Sequence, residues 1–182
     1  MTDPGLKEFP YNRYKALEYA HYWAYRRNER FYNFHDIGGD CTNFVSQCLY
    51  AGSGVMNYKP TFGWYYVSID NRAPAWTGVQ ALYQFLTTNQ GVGPYATETE
   101  ASEMQVGDVI QLSFNPPDFQ HSMVVVSTGD SPAVENILIA THSMDADCRP
   151  ILTYNFQNIR FLHVEGVRAW EQPDVTYQQV SR

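Results

Sequence analysis

Apolar residues return every three or four positions through much of the first half of the chain, which is the spacing of one helix face. Over residues 11–30 this pattern predicts an amphipathic helix with arginines in its last turn. A second helix is predicted over 41–50, where the glycine-containing stretch 51–54 ends it. A short third helix is predicted over 79–88, before the turn residues of 91–94.

The spacing of apolar residues changes to every second position after the turn residues of 91–94, which is typical of strands. Four strands are predicted, over residues 106–112, 121–127, 137–142 and 159–164. Helices first and strands later indicate an α+β domain, with the helices packed on an antiparallel sheet.

The middle two strands are predicted to form a hairpin, because turn-forming residues occupy positions 129–132 between them. If the hairpin is symmetric about positions 131 and 132, His121 and His142 lie directly opposite each other. Opposed residues of an antiparallel pair share a face, with Cβ atoms about 4.5–5.5 Å apart. The two imidazoles are therefore predicted to be neighbours at the open end of the hairpin.

The length of 182 residues predicts one domain, over residues 11–170, with a lead-in of residues 1–10 and a tail of 171–182. Aromatic residues make up 15% of the chain and charged residues 17%, a balance that favours a folded chain over a disordered one.

The formal net charge of −7 comes without a stripe of Lys and Arg that could neutralise phosphates, so we expect no nucleic-acid partner. No apolar run of 18 residues is present, so we expect no transmembrane segment. No basic start followed by an apolar stretch marks a signal peptide. The compartment stays open, because a domain of a longer secreted chain has the same pattern.

Three cysteines stand at a spacing that matches neither a zinc knuckle nor a disulfide framework. Cys48 lies on the apolar face of its predicted helix and is expected in the core. Cys148 is expected to be a free thiol in a loop. We therefore expect no metal. Nucleophilic chemistry at a cysteine needs no cofactor, so we expect no cofactor either.

Cys41 is the strongest candidate for chemistry, because its thiol stands at the start of a predicted helix. Asp40 is expected to be the N-cap, its carboxylate accepting from the backbone N–H of Thr42 or Asn43. The unpaired N–H groups and positive dipole of a helix start are expected to lower the pKa of the thiol. The same N–H groups could hold an oxyanion, together with a side-chain donor.

A nucleophilic cysteine needs a base, and the base needs an orienting partner. His121 opens its predicted strand, where a thiolate on a helix above the sheet could reach it. His142 is its predicted neighbour across the hairpin. Because the hairpin is long, Asp145 or Asn136 are alternatives for the third position, although Asn136 falls at mid-sheet.

The segments 11–13, 40–52, 64–66, 121–123 and 141–145 are together similar to the signature of an amidase-like domain family. This resemblance covers nearly the whole chain. More distantly, the chain resembles the NlpC/P60 and CHAP peptidases, which share a papain-like arrangement of a helix Cys, a strand His and a polar third residue.

The resemblance implies that the domain has a papain-like fold and hydrolyses an amide bond by way of a thioester intermediate. Cys41 would be the nucleophile, His121 the base, and His142 the third member, since NlpC/P60 peptidases often place a His on the strand after the base. A peptide or a peptidoglycan stem peptide is the implied substrate.

Further candidates for holding the oxyanion or the substrate surround this arrangement. Tyr11 and Asn12 would sit next to the Cys helix in the related fold. Asp40 and Asn43 flank the thiol in sequence, although Asn43 could instead hydrogen-bond to neighbouring backbone. Trp64 belongs to an aromatic-rich segment that is either ordinary packing or a substrate groove.

Two other functions fit the same residues. The triad could transfer an acyl group to a bound amine instead of water. Alternatively, the domain could be a non-catalytic module whose aromatic residues bind a cell-wall or protein ligand.

Overall fold

The computed structural model describes residues 5–131 and 133–175 of the chain. Four α-helices are present in these ranges: α1 (Arg13–Trp23), α2 (Cys41–Ser53), α3 (Pro74–Thr77) and α4 (Val79–Thr88). The strands are β1 (Lys7–Phe9), β2 (Tyr66–Ser68), β3 (Asn71–Arg72), β4 (Gly93–Thr99), β5 (Val109–Ser113), β6 (His121–Ser127), β7 (Leu138–Thr141), β8 (Ala146–Pro150) and β9 (Asn158–Ala169). Within the described ranges no helix combines the length and the apolar character needed to cross a membrane.

Seven strands form one sheet in the order β1-β9-β5-β6-β7-β8, with β4 also paired to β9. The pairs within this sheet are antiparallel, so the predicted α+β class with an antiparallel sheet is confirmed. The two short strands β2 and β3 form a separate hairpin.

Both faces of the sheet are buried. This is shown by the side chains of β6, which alternate between two hydrophobic clusters on opposite faces. Val124 and Val126 belong to a cluster with residues of α1 and α2. Met123 and Val125 belong to a second cluster on the other face, away from these helices. Which face a β6 residue occupies therefore decides whether it can meet the Cys41 helix.

Several features of the chain differ from the sequence prediction, among them α3, the β2–β3 hairpin and the extension of β9 to Ala169. The helix predicted over 11–30 ends at Trp23, and the chain then turns, with the Asn28 side chain accepting from the backbone N–H of Arg30. The predicted lead-in contains β1, which joins the sheet. Strands β4 and β8 were missed because both carry polar or Pro positions that hide an alternating pattern.

Three parts of the predicted organisation fall beyond what the structure describes. Residues 1–4 of the predicted lead-in, Pro132 at the tip of the predicted hairpin and the stretch 176–182 of the predicted tail lie outside the described residues.

The aromatic-rich segment packs inside the molecule. Trp64 and Trp76 are both fully buried, with ring centroids 5.0 Å apart, and Trp64 also stacks on Phe85 of α4. The indole N–H of Trp64 donates to the Ser46 hydroxyl of α2 at 3.0 Å. Trp64 is therefore a core residue joining α2 to α4, so of its two predicted roles the structure supports packing and not contact with a substrate.

The segment before α1 fastens this helix to the far end of α2. The Tyr11 hydroxyl donates to the Gly107 carbonyl at 3.2 Å, and the Asn12 backbone N–H donates to the Gly52 carbonyl at 2.9 Å. The Asn12 side chain also caps α1 by accepting from the N–H of Lys15. These contacts position α1 and α2 side by side.

Candidate active site

Cys41 is the first residue of α2, as predicted, but the residue is buried, with only 7% of its surface exposed. The backbone N–H of Ser122 can donate to its sulfur, and the hydroxyl of Thr42 lies 3.8 Å from it. Burial nevertheless raises the pKa of Cys41, against the lowering effect of these hydrogen bonds. The expected lowered pKa is therefore wrong for this state, in which the group is a neutral thiol at pH 7.

Asp40 does not cap α2 with its side chain, because its carboxylate is used elsewhere. It accepts from the backbone N–H of Phe34 at 2.9 Å, the amide of Asn43 at 2.8 Å and Nδ1 of His142 at 2.6 Å. Nε of Arg27 lies 3.3 Å away. Burial raises the pKa of Asp40, but the hydrogen bonds outweigh it, so the net pKa is lowered and the group stays ionised.

His142 is locked into an ion pair with Asp40. Its Nδ1 faces the Asp40 carboxylate, and its Nε2 lies 2.9 Å from the carbonyl oxygen of Trp23. Both partners are acceptors, so each ring nitrogen is positioned to donate to one of them. The ring is buried and stacks on Phe44 at 4.1 Å. With both nitrogens occupied, His142 has no free position from which to orient His121.

The predicted pairing of His121 with His142 is wrong by one residue. Val124 pairs with Ala140, which is one residue away from the partner that a symmetric hairpin predicts. A further shift lies before Ser127, where an irregularity in β6 takes up one extra residue. Because side chains alternate along a strand, a shift of one residue moves a partner to the other face. His142 therefore lies on the face of the helices and His121 on the opposite face.

His121 lies among aromatic rings at the start of β6. Its ring centroid is 5.8 Å from that of Tyr154 and 6.4 Å from that of Phe114. Its Nε2 is 3.4 Å from the hydroxyl oxygen of Thr141, a residue that was not predicted as part of the site. Burial, and secondly the charge of Arg149, lower the pKa of His121 to about 4. The imidazole is thus neutral at pH 7 and able to accept a proton.

The two alternatives for the third position also lie away from His121. Asp145 forms two hydrogen bonds with Arg27, at 2.8 and 2.9 Å. The side chain of Asn136 is exposed and donates to the Ser131 carbonyl at 3.0 Å. Neither residue is positioned as the orienting group by these contacts.

A buried polar network beside the thiol was missed from the sequence. The Thr42 and Ser122 hydroxyls are 3.0 Å apart, and the Gln111 amide donates to Ser122 Oγ at 3.0 Å. Nε of Arg160 donates to Gln111 Oε1 at 2.8 Å. The network holds the start of β6 against the start of α2. The sequence did contain a sign of this network, because polar residues occur on strands that were predicted to be buried.

Asn43 is a structural residue rather than a substrate contact. Its amide nitrogen donates to Asp40 and to the carbonyl of Tyr32 at 3.0 Å, and its oxygen accepts from the indole N–H of Trp76 at 2.9 Å. It is 1% exposed, so its hydrogen-bonding positions face the interior. The prediction that it holds an oxyanion or substrate is therefore not supported by its geometry.

Tyr11 and Asn12 lie at the other end of α2 from the thiol. They contact the region of Gly52, which is eleven residues after Cys41. At 1.5 Å per residue this is a separation of about 17 Å along the helix. These two residues therefore lie next to the Cys41 helix, as expected, but they are too far from the thiol to hold an oxyanion there.

Comparison with known proteins identifies the class. A family model described as "Putative amidase domain" matches residues 10–164, so the chain belongs to this amidase domain family. It is similar to two proteins of Bacillus subtilis (strain 168), "Uncharacterized protein YhbB", 32% identical over 133 residues, and "Uncharacterized protein YjcM", 29% identical over 105. The matches cover 70% and 58% of this chain but only 42% and 23% of the relatives. The chain thus spans less than half the length of either relative. No solved structure matches.

The buried neutral imidazole of His121 is expected to make the fold sensitive to acid. A histidine titrates near 6.5 in an unfolded chain and at about 4 here, so between these values the unfolded state binds more protons. The free energy of unfolding should therefore fall from pH 6.5 to 4, by up to about 3 kcal/mol. Urea titrations across this range measure the slope.

The matched variants are His121→Gln, which removes the titrating group, and His35→Gln, which changes an exposed histidine. The first is expected to flatten the slope and the second to leave it as in the wild type. An unaltered slope in His121→Gln would contradict the lowered pKa.

Proposed function

We propose that this domain hydrolyses amide bonds, with Cys41 as the nucleophile and His121 as the base. The observation that carries the proposal is a contact between the residues that follow these two groups in the chain: the hydroxyl of Thr42, next to Cys41, lies 3.0 Å from the hydroxyl of Ser122, next to His121. Membership of an amidase domain family supports the class of reaction.

The proposed chemistry starts from a neutral pair. His121 takes the proton of the Cys41 thiol as the sulfur attacks the amide carbon, and N–H groups at the start of α2 stabilise the oxyanion. The C–N bond then breaks, and the imidazolium gives its proton to the leaving amine. Water, deprotonated by His121, next attacks the thioester, and the carboxylic acid and free thiol are released.

This chemistry requires the His121 imidazole to turn from the Tyr154 ring towards the thiol. Catalytic hydrogen bonds are often long or poorly aligned without substrate and tighten only in the complex. Thr141, whose hydroxyl oxygen is near Nε2 of His121, takes the place of His142 as the orienting group in this proposal. His142 instead holds Asp40, the residue preceding the nucleophile, in position.

The proposed substrate is a peptide or a peptidoglycan stem peptide. This part rests on the resemblance of the Cys41 and His121 segments to NlpC/P60 and CHAP peptidases, as does the proposal of a papain-like ancestry. The antiparallel sheet with helices on one face is compatible with that ancestry.

Acylation by an active ester tests the mechanism without the natural substrate. The protein is mixed with the p-nitrophenyl ester of an N-acetylated dipeptide, quenched in acid and digested, and the acyl group is located by tandem mass spectrometry. We expect a burst of p-nitrophenol and a thioester on Cys41, and a smaller burst in His121→Ala. Acylation equally distributed among Cys41, Cys48 and Cys148, or absent, would contradict the proposal.

A binding module without catalysis is the second candidate, and the opposite faces occupied by His121 and the Cys41 helix favour it. Absence of acylation, together with saturable binding of stem peptides in equilibrium dialysis, would support it.

Acyl transfer is separated from hydrolysis by adding hydroxylamine, since a transferase would divert product to the hydroxamate.

A further inference from the structure

A group of metal-ligating side chains lies between α1 and β8, outside the candidate active site. His21 of α1 and Asp147 and Cys148 of β8 place one ligand atom each within 4.8 Å of one another. Nδ1 of His21 is 2.8 Å from Oδ1 of Asp147, and Sγ of Cys148 is 3.7 Å from the same oxygen. Imidazole, carboxylate and thiol thus meet at one point.

A bulge in β8 makes this meeting possible. Ile139 pairs with Arg149 and Thr141 with Ala146, so three steps along β8 face two steps along β7. Successive side chains of a regular strand point to opposite faces, which would separate Asp147 from Cys148. At the bulge Cys148 adopts a φ of 54°, in the left-handed region, and its sulfur stays on the side of Asp147.

We propose that His21, Asp147 and Cys148 form a zinc site. Zinc is bound in proteins by imidazole nitrogen, thiolate sulfur and carboxylate oxygen at about 2.0–2.3 Å, which places tetrahedral ligand atoms about 3.3–3.7 Å apart. The sulfur–oxygen distance of 3.7 Å already fits. The nitrogen–oxygen distance of 2.8 Å must open by about half an ångström, as the ion replaces their direct hydrogen bond.

The surroundings of these three side chains suit a zinc ion that keeps one coordination position open to solvent. His21 and Cys148 are exposed and Asp147 is half-buried, so an ion can enter from solvent and keep a water as its fourth ligand. Binding releases the proton of the Cys148 thiol, and the thiolate and the Asp147 carboxylate together balance the two positive charges.

The site would join α1 to the hairpin of β7 and β8. This hairpin contacts the candidate active site, since the Ser143 hydroxyl accepts from the backbone N–H of Asp40 and Asp145 pairs with Arg27. A bound ion would therefore limit movement of the β7–β8 hairpin away from α1 and so away from Asp40. The site requires no catalysis at Cys41, so its test is independent of the proposed function.

Zinc binding is measured by calorimetry on the full chain, kept reduced with a phosphine and stripped of metal. Cobalt(II) provides a spectroscopic signature, because a cobalt–thiolate bond gives a charge-transfer absorption. We expect one ion per chain, the charge-transfer band, and a rise in Tm that depends on zinc concentration.

Cys148→Ser is expected to remove the cobalt–thiolate band, and His21→Ala to weaken zinc binding by a factor of about 10 or more. The exposed His35→Ala and the nucleophile variant Cys41→Ser should bind zinc as the wild type does. Absence of zinc binding at micromolar concentration, or binding with a band that persists in Cys148→Ser, would overturn the site.

Discussion

Replacing Cys41 by alanine is expected to lower the rate of amide hydrolysis by a factor of at least about 10³, while leaving the fold intact. Without the sulfur no thioester forms, and only binding and oxyanion stabilisation remain to accelerate the reaction. Although Cys41 is buried, the change to alanine removes a single heavy atom, so it removes little packing. Release of amine from stem peptides, followed by mass spectrometry, measures the rate, and circular dichroism checks the fold.

Cys48→Ala is the matched control for this variant. Cys48 lies on the same helix seven residues later, is fully buried and packs in the cluster that joins α1 and α2. Its loss is expected to lower stability but to keep the hydrolysis rate within about twofold of the wild type at temperatures where the protein is folded. Equal loss of activity in both variants would refute Cys41 as the nucleophile.

Replacing Asp40 by alanine is expected to lower the free energy of unfolding by about 3–5 kcal/mol, the cost of removing one partner of a buried ion pair. The change leaves Nδ1 of the His142 imidazole, a residue that is 1% exposed, facing an apolar methyl group. It also removes the acceptor of the Phe34 N–H and of the Asn43 amide. Urea unfolding monitored by tryptophan fluorescence gives the free energy.

Asp145→Ala serves as the comparison, because Asp145 binds the same Arg27 from the protein surface. Exposed ion pairs contribute at most about 1 kcal/mol, so this variant should stay close to the wild type. If Asp40→Ala also stays within about 1 kcal/mol, the ion pair with His142 does not stabilise the fold as argued.

Elements with a strong local pattern were predictable from sequence. The strand His121–Ser127 and the helix Val79–Thr88 have the predicted bounds, because each carries an uninterrupted apolar pattern between clear turn residues. The start of α2 at Cys41 was also predicted correctly, since the glycines and Asp40 before it mark a helix start.

The partners of the candidate site were harder to predict than its position. The register of β6 and β7 depends on an irregularity near Ser127, and one inserted residue exchanges the faces of the whole strand. The role of Asp40 depends on Phe34 and His142, which are brought to it by tertiary packing. The pKa of Cys41 likewise depends on burial depth, which no local pattern encodes.

The pairing of β1 with the end of β9 has a consequence for how the domain is joined to other segments. Lys7 pairs with Ala169 and Phe9 with Val167, so the chain comes in and leaves side by side. Asn12, just after β1, contacts the end of α2 that is about 17 Å from Cys41. The domain can therefore be inserted into a longer polypeptide, or circularly permuted through a short linker, while the thiol end stays clear of the junction.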